Sequence, residues 1–252
     1  MRVSLLVLAL PLLSLADVPS KVPTASSINR RTDAEENYRR GVQLAEGDGA
    51  PKNYAAAAEF YRKAAEAGHA AAQYDLAYLY ENGFGVKQDS KQAAFWYRKS
   101  AEQGDAEAQN NLGALYAKGE GVPRSDAQAL HWYRLAAQQD DPEGISNLGT
   151  MYLQGRAVKR DFVQAFELFR KSANLGYAVA QNNLALMYAN GQAVDKDYVW
   201  AYAWLDIASA QISGCAELRD RIGAEMTPVD IARAHNLADR KRQELKQKRE
   251  PK

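Results

Sequence analysis

The chain has one cysteine, three histidines and eight prolines among 252 residues. A lone cysteine, Cys215, excludes an intramolecular disulfide framework, so stability has to come from packing. Lys and Arg number 32 against 31 Asp and Glu, a balance without the domain-wide basic excess of a dedicated nucleic-acid binder. His69, His131 and His235 form no HExxH pair and join no Cys/His cluster, so no zinc ligand set is present in the sequence. Long apolar runs are missing too. Residues 3–15 make the main one, interrupted by Pro11 and short of the ~20 residues that span a bilayer. Gly and Pro together are too few, and the patterning too regular, for a disordered chain.

What the sequence does have is a period. Gly47, Gly83, Gly119, Gly155 and Gly191 recur every 36 residues. Leu76, Leu112, Leu148 and Leu184 keep the same interval, as do Tyr80, Tyr116, Tyr152 and Tyr188, and the series Ala57, Ala93, Ala129, Ala165 and Ala201. Within one unit Ala72, Leu76, Leu79 and Tyr80 stand at i, i+4, i+7 and i+8, the spacing of one helix face. Asn82-Gly83 then supplies a left-handed C-terminal cap. A second helix follows on Ala93, Trp96, Tyr97, Ser100 and Ala101, closed by Gly104. A fixed period of this size predicts a stack of helix pairs, an all-α solenoid in which each unit packs on its neighbours.

The ends depart from the period. Arg2, the apolar run and Ser14-Leu15-Ala16 read as a secretory signal peptide over residues 1–16, cleaved between Ala16 and Asp17. Its removal takes Lys plus Arg from 32 to 31, equal to the 31 acids. Residues 17–33 read as a flexible linker. Five units follow over residues 34–213, at about 34–69, 70–105, 106–141, 142–177 and 178–213. The first is the most polar, as a terminal repeat should be. Residues 214–245 read as a helical cap opened by Thr227-Pro228, and residues 246–252 as a basic tail.

The strings Asn111-Leu112-Gly113-Ala114-Leu115-Tyr116, Gly119-Glu120-Gly121-Val122 and Ala129-Leu130-His131-Trp132-Tyr133 resemble the Sel1-like repeat, a relative of the tetratricopeptide repeat. Glu225-Met226-Thr227-Pro228 and the helix after it resemble the C-terminal cap of secreted bacterial members. The resemblance implies a right-handed α/α superhelix that binds proteins or cell-envelope components, without chemistry of its own. Some members are cysteine-rich, with a disulfide in each repeat; this chain lacks that feature, which weakens any transfer of the penicillin-binding or β-lactamase activity associated with that branch.

The expected function is therefore a non-enzymatic protein-interaction scaffold of the bacterial envelope, periplasmic or secreted, with a protein or peptide partner, no cofactor and no metal. An envelope enzyme acting on peptidoglycan or β-lactams, and a secreted effector acting in a host, are the alternatives. No catalytic constellation is visible: Gly144-Ile145-Ser146 lacks the second Gly of a nucleophile elbow, and Gly83/Gly85 and Gly119/Gly121 lie between two helices as turns. His69 is placed at a second-helix terminus, and Trp96, Trp132 and Trp204 are expected as packing. The first helices of each pair, which the resemblance puts on the concave side, carry amides and hydroxyls that suit an extended peptide backbone. The recurring Asp75, Asn111, Asn147 and Asn183 are expected to bond across repeats. The varying positions Tyr74, Tyr78, Asn110, Lys118, Ser146, Thr150 and Asn182 are the expected partner contacts.

Overall fold

The computed structural model describes residues 25–47 and 51–249. Its helices are α1 (Ala25–Glu46), α2 (Tyr54–Glu66), α3 (Ala70–Asn82), α4 (Ser90–Ala101), α5 (Ala106–Lys118), α6 (Asp126–Gln138), α7 (Pro142–Gln154), α8 (Phe162–Asn174), α9 (Ala178–Asn190), α10 (Tyr198–Ala208), α11 (Gly214–Gly223) and α12 (Pro228–Arg249). No strand occurs among the described residues. The first ten helices form five antiparallel pairs, and each second helix also packs on the first helix of the next unit. The result is an α/α solenoid.

Local rules build each hairpin in the same way. The first helix of units two to five ends at Gly83, Gly119, Gly155 or Gly191, each in the left-handed region, where a Cβ would be strained. Asp89, Ser125, Asp161 and Asp197 then cap the second helix by accepting backbone N–H groups near its start. One backbone bond closes every loop: the N–H of Asn53, Asp89, Ser125, Asp161 and Asp197 donates to the carbonyl of Leu44, Tyr80, Tyr116, Tyr152 and Tyr188, at 2.7–3.0 Å. Between units, His69, Asp105 and Asp141 cap the next first helix. Small side chains bring the helices together, with Ala57, Ala93, Ala129, Ala165 and Ala201 all fully buried. Large residues fill the space between units, so Tyr97, Leu112, Phe169 and Leu184 are buried as well.

Three expectations change. Helix α1 starts at Ala25 and so takes up residues 25–33 of the expected linker. The cause is local: Pro23 is the last proline before it, Gly41 is its first glycine, and Glu35–Arg39 and Glu36–Arg40 bridge successive turns. His69 ends no helix. Its Nδ1 accepts the N–H of Ala72 at 3.2 Å as the N-cap of α3, and its ring stacks on Tyr38. Helix α12 continues past residue 245 to Arg249, so most of the expected basic tail is helical. The signal-peptide segment, residues 1–16, lies outside the described residues, as do 250–252.

At the far end α10 is buried along Ala201–Ala208, because α11 and α12 cover the face that a further repeat would otherwise occupy. The cover is pinned electrostatically. Asp206, within the buried run of α10, accepts from Arg219 at 2.8 Å and from Arg242 at 2.7 Å. Burial works against the ionised form of Asp206, but the two guanidinium bonds outweigh it and hold the carboxyl below its ordinary range.

Candidate functional site

The first helices α5 and α7 touch each other across units, and so do α7 and α9. The first helices lie on one face, continuous along α5, α7 and α9. Its chemistry follows from which residues the packing leaves outward. Helices α3, α5, α7 and α9 contain the acids Asp75, Glu81, Glu107 and Glu143 and one base, Lys118 at the end of α5. The second helices carry Arg62, Lys63, Lys91, Arg98, Lys99, Arg134, Arg170 and Lys171.

The expected contacts separate on this face. Tyr78 is 44% exposed, with its ring 6.0 Å from Phe84, which is itself exposed. Lys118 is exposed and pairs loosely with Glu120 at 3.8 Å. Tyr74 is half-buried against Tyr97, ring centroids 5.6 Å apart. Thr150 is half-buried and donates to the carbonyl of Ser146 at 3.1 Å. Asn182 is half-buried and accepts the thiol of Cys215 at 3.4 Å. Asn110 and Ser146 are corrected. Each is 2% exposed, because at this position α5 and α7 turn inward against a neighbouring first helix. Asn110 accepts from Asn147 Nδ2 at 2.8 Å and donates to Asn111 Oδ1 at 3.2 Å. The expected cross-repeat bonding of the Asn series is present there, and it uses Asn110 as its bridge.

Sequence reasoning missed the tyrosine–carboxylate contacts on the same face. Asp75 lies beside the hydroxyls of Tyr38 and Tyr61, and burial pushes its carboxyl up to about 6 in spite of both. Tyr74 lies beside Glu107, and Tyr177 beside Glu143; burial first and the acid second raise both phenols, Tyr177 to about 12. Asp141, burial-shifted to about 6, also feels Glu143, Glu107 and Asp105. The signal was available: Glu107 and Glu143 stand 36 residues apart at one repeat position. Among the described residues no group of three or more His, Cys, Asp or Glu side chains is placed to share a metal ion.

Paired helices closed by a common loop bond, stacked in register and sealed by a helical cap, define an α-solenoid repeat protein. The family model described as Sel1 repeat matches five times in succession, at residues 37–69, 70–105, 106–141, 142–177 and 178–213, and the chain belongs to that family. Sel1 repeat proteins are generally protein-interaction scaffolds. Among solved structures the chain is similar to a protective antigen of uropathogenic Escherichia coli with an SLR fold, at 36% identity and a TM-score of 0.78, over 90% of this chain and 52% of that one. It spans about half the length of that antigen. It is also similar to a Sel1 repeat protein from Oxalobacter formigenes, at 31% identity and a TM-score of 0.72, over 81% of this chain and 84% of that one. PilF of Pseudomonas aeruginosa shares the fold at 23% identity and a TM-score of 0.57, over 88% of this chain and 94% of that one. No curated protein matches. Among the described residues no helix is long and apolar enough to cross a membrane.

Proposed function

We propose that this chain is a non-enzymatic scaffold of the bacterial cell envelope that holds an extended segment of a protein partner along its row of first helices. One observation carries the reading: α3, α5, α7 and α9 leave Tyr74, Tyr78, Lys118, Thr150 and Asn182 half-exposed or exposed, with Tyr78 and Thr150 at one repeat position and Tyr74 and Asn182 at another. Amides and hydroxyls both donate and accept, so such a row can satisfy the backbone of a bound strand, whose polar groups need partners at every residue. Membership of the Sel1 repeat family supports the scaffold reading. The envelope assignment rests on the sequence of residues 1–16.

The test is photo-crosslinking in cells from position 118, exposed at the end of α5, beside the triple variant Tyr78→Ala, Thr150→Ala and Asn182→Ala. A discrete adduct with a protein partner, lost in the triple variant at unchanged chain level, is the expected result. An adduct that persists undiminished in the triple variant, or none from any position on this face, refutes the reading. Fractionation of cells and medium tests the compartment separately.

A further inference from the structure

Each unit meets the next at a joint near the loop between its two helices. The residue that opens a second helix faces the residue just past the glycine cap of the following unit, 30 positions later. In the first joint Tyr54 stacks on Phe84, ring centroids 5.4 Å apart. In the third, Arg156 forks onto Asp126, with Nε 3.1 Å from Oδ2 and Nη2 on Oδ1. The second joint pairs Ser90 with Glu120. Ser90 is too short to close it, and Glu120 turns to Lys118 of its own unit. Backbone contact remains, since Gly121 sits so close to Ser90 that an added Cβ would lie 1.9 Å from the Ser90 carbonyl oxygen.

The unfilled joint opens into a surface cavity of about 760 Å³ whose walls include Arg62, Tyr80, Lys87, Ser90, Lys91 and Gly121. Three of these side chains are cationic, and none is paired with a carboxylate among the described residues; Arg62 Nη2 instead donates to the Tyr80 hydroxyl at 3.1 Å. The cavity's single acid, Asp89, is already engaged, its Oδ1 accepting the N–H groups of Lys91 and Gln92 at 2.9 and 3.1 Å. The end of α4 is therefore satisfied, and the attraction comes from side chains. Cations gathered in a concavity concentrate their field on whatever enters it. The Ser90 and Tyr80 hydroxyls add hydrogen-bonding capacity beside them.

We infer that this cavity is a binding site for a multiply charged oxyanion, a phosphoryl or carboxylate group held by Arg62, Lys87 and Lys91. It lies at the joint between units, is built largely from a second helix and a loop, and is independent of the proposed partner face. Arg62 can offer its fork to two oxygens at once, and the two lysines act as point charges.

The experiment titrates the full chain with inorganic pyrophosphate and, separately, with citrate, following amide resonances by NMR. Saturable shifts at Ser90, Lys91 and Gly121 are expected for at least one probe, and the tighter binder names phosphoryl or carboxylate as the class. Lys87→Gln combined with Lys91→Gln, both on exposed side chains, should weaken that binding about tenfold or more. A second variant, Ser90→Asp with Glu120→Arg, copies the Asp126–Arg156 pair into the open joint. It should abolish binding while circular dichroism stays helical. Absence of saturation below about 10 mM for both probes, shifts spread over lysines and arginines of every unit, or unchanged affinity in both variants would each overturn the inference.

Discussion

The amide pairs at the other side of the unit interface yield a quantitative test. Gln73 donates to the carbonyl of Ala65 at 2.9 Å and accepts from Gln103 at 2.7 Å. One unit on, Gln109 donates to Ala101 at 3.1 Å and accepts from Gln139 at 2.9 Å. In the next unit both amides are gone together: Ile145 stands at the inner position, fully buried, and Leu175 at the outer, 42% exposed. The single substitution Ile145→Gln would place an amide where Ala137 can accept its N–H but nothing can donate to its oxygen. An orphaned buried acceptor costs about 1–3 kcal/mol, and the lost aliphatic burial about 1–2 kcal/mol more. Destabilisation by about 2–5 kcal/mol is expected for that variant. Leu175→Gln alone, on a largely solvated side chain, should stay within about 0.5 kcal/mol of the parent. Together they rebuild the Gln–Gln bond, so the double variant should recover about 1 kcal/mol relative to the sum of the singles. Urea denaturation with a common m-value measures all four corners of the cycle. A coupling below about 0.3 kcal/mol would show that the two positions do not act as a pair. Gln181 is the internal control. Its Oε1 is buried with no hydrogen-bond partner among the described residues, although a glutamine, Gln211, again stands 30 positions on. Gln181→Ile should therefore be neutral or stabilising.

Three further outcomes follow from named contacts. Gly121→Ala puts a Cβ 1.9 Å from a backbone oxygen at φ +70°, whereas Gly104→Ala meets nothing within 4 Å at φ +98°; thermal unfolding should show a loss of more than about 3 kcal/mol for the first and about 1–2 kcal/mol for the second. Asp75 titrates near 6 in the fold, chiefly from burial, against an ordinary 3.8. Its neutral form is the favoured one, so the stability it lends is present below about pH 4 and lost as pH rises through 6. Asp75→Asn should then gain about 1–2 kcal/mol at pH 8 and nothing at pH 4, and a variant equally or less stable at pH 8 would contradict the burial argument. Asp206→Ala leaves Arg219 and Arg242 without their shared acceptor and should cost about 3–5 kcal/mol, seen as early hydrogen exchange confined to α10–α12. Because the Asp206 carboxyl is held below its ordinary 3.8, its contribution is present above that pH and lost only as pH falls through the lower folded value.

The fold was legible because one period controls both helices, both turns and the core. The Leu, Tyr, Ala and Gly series mark positions whose neighbours are the same in every unit, and the matched units at 70–105, 106–141, 142–177 and 178–213 have the boundaries the period predicts. Legibility ended where the neighbour changes. The start of α1 depends on where a helix-compatible stretch begins, and no periodic signal marks it. On the first-helix face, helical spacing places Tyr78, Asn110 and Ser146 on the same outward side. Burial of the latter two arises from contact between successive first helices, a relation between units that a single helical wheel does not contain. The tyrosine–carboxylate pairs escaped for the same reason: Tyr38 and Asp75, or Tyr74 and Glu107, are joined across the stack and not along it.

This bears on how variation in a repeat protein should be interpreted. Residues that differ between equivalent units invite assignment to a ligand, yet several here vary in step with a residue 30 positions away. Tyr54 with Phe84 and Asp126 with Arg156 are two solutions of one contact, aromatic and ionic. Gln73 bonds with Gln103, and where Ile145 replaces the inner amide Leu175 replaces the outer one. Matched variation of this kind makes each interface chemically distinct, so a unit in the wrong place would set a charge against a ring or an amide against an aliphatic side chain, each with an unpaired group to bury. It specifies the order of the stack. The positions left for function are those whose variation has no such match. Tyr78 is one, exposed on the first-helix row without a counterpart of its type in units three to five. The pair Ser90 and Glu120 is the other: its two side chains do not meet, and the space they leave is lined with cations that the fold does not neutralise.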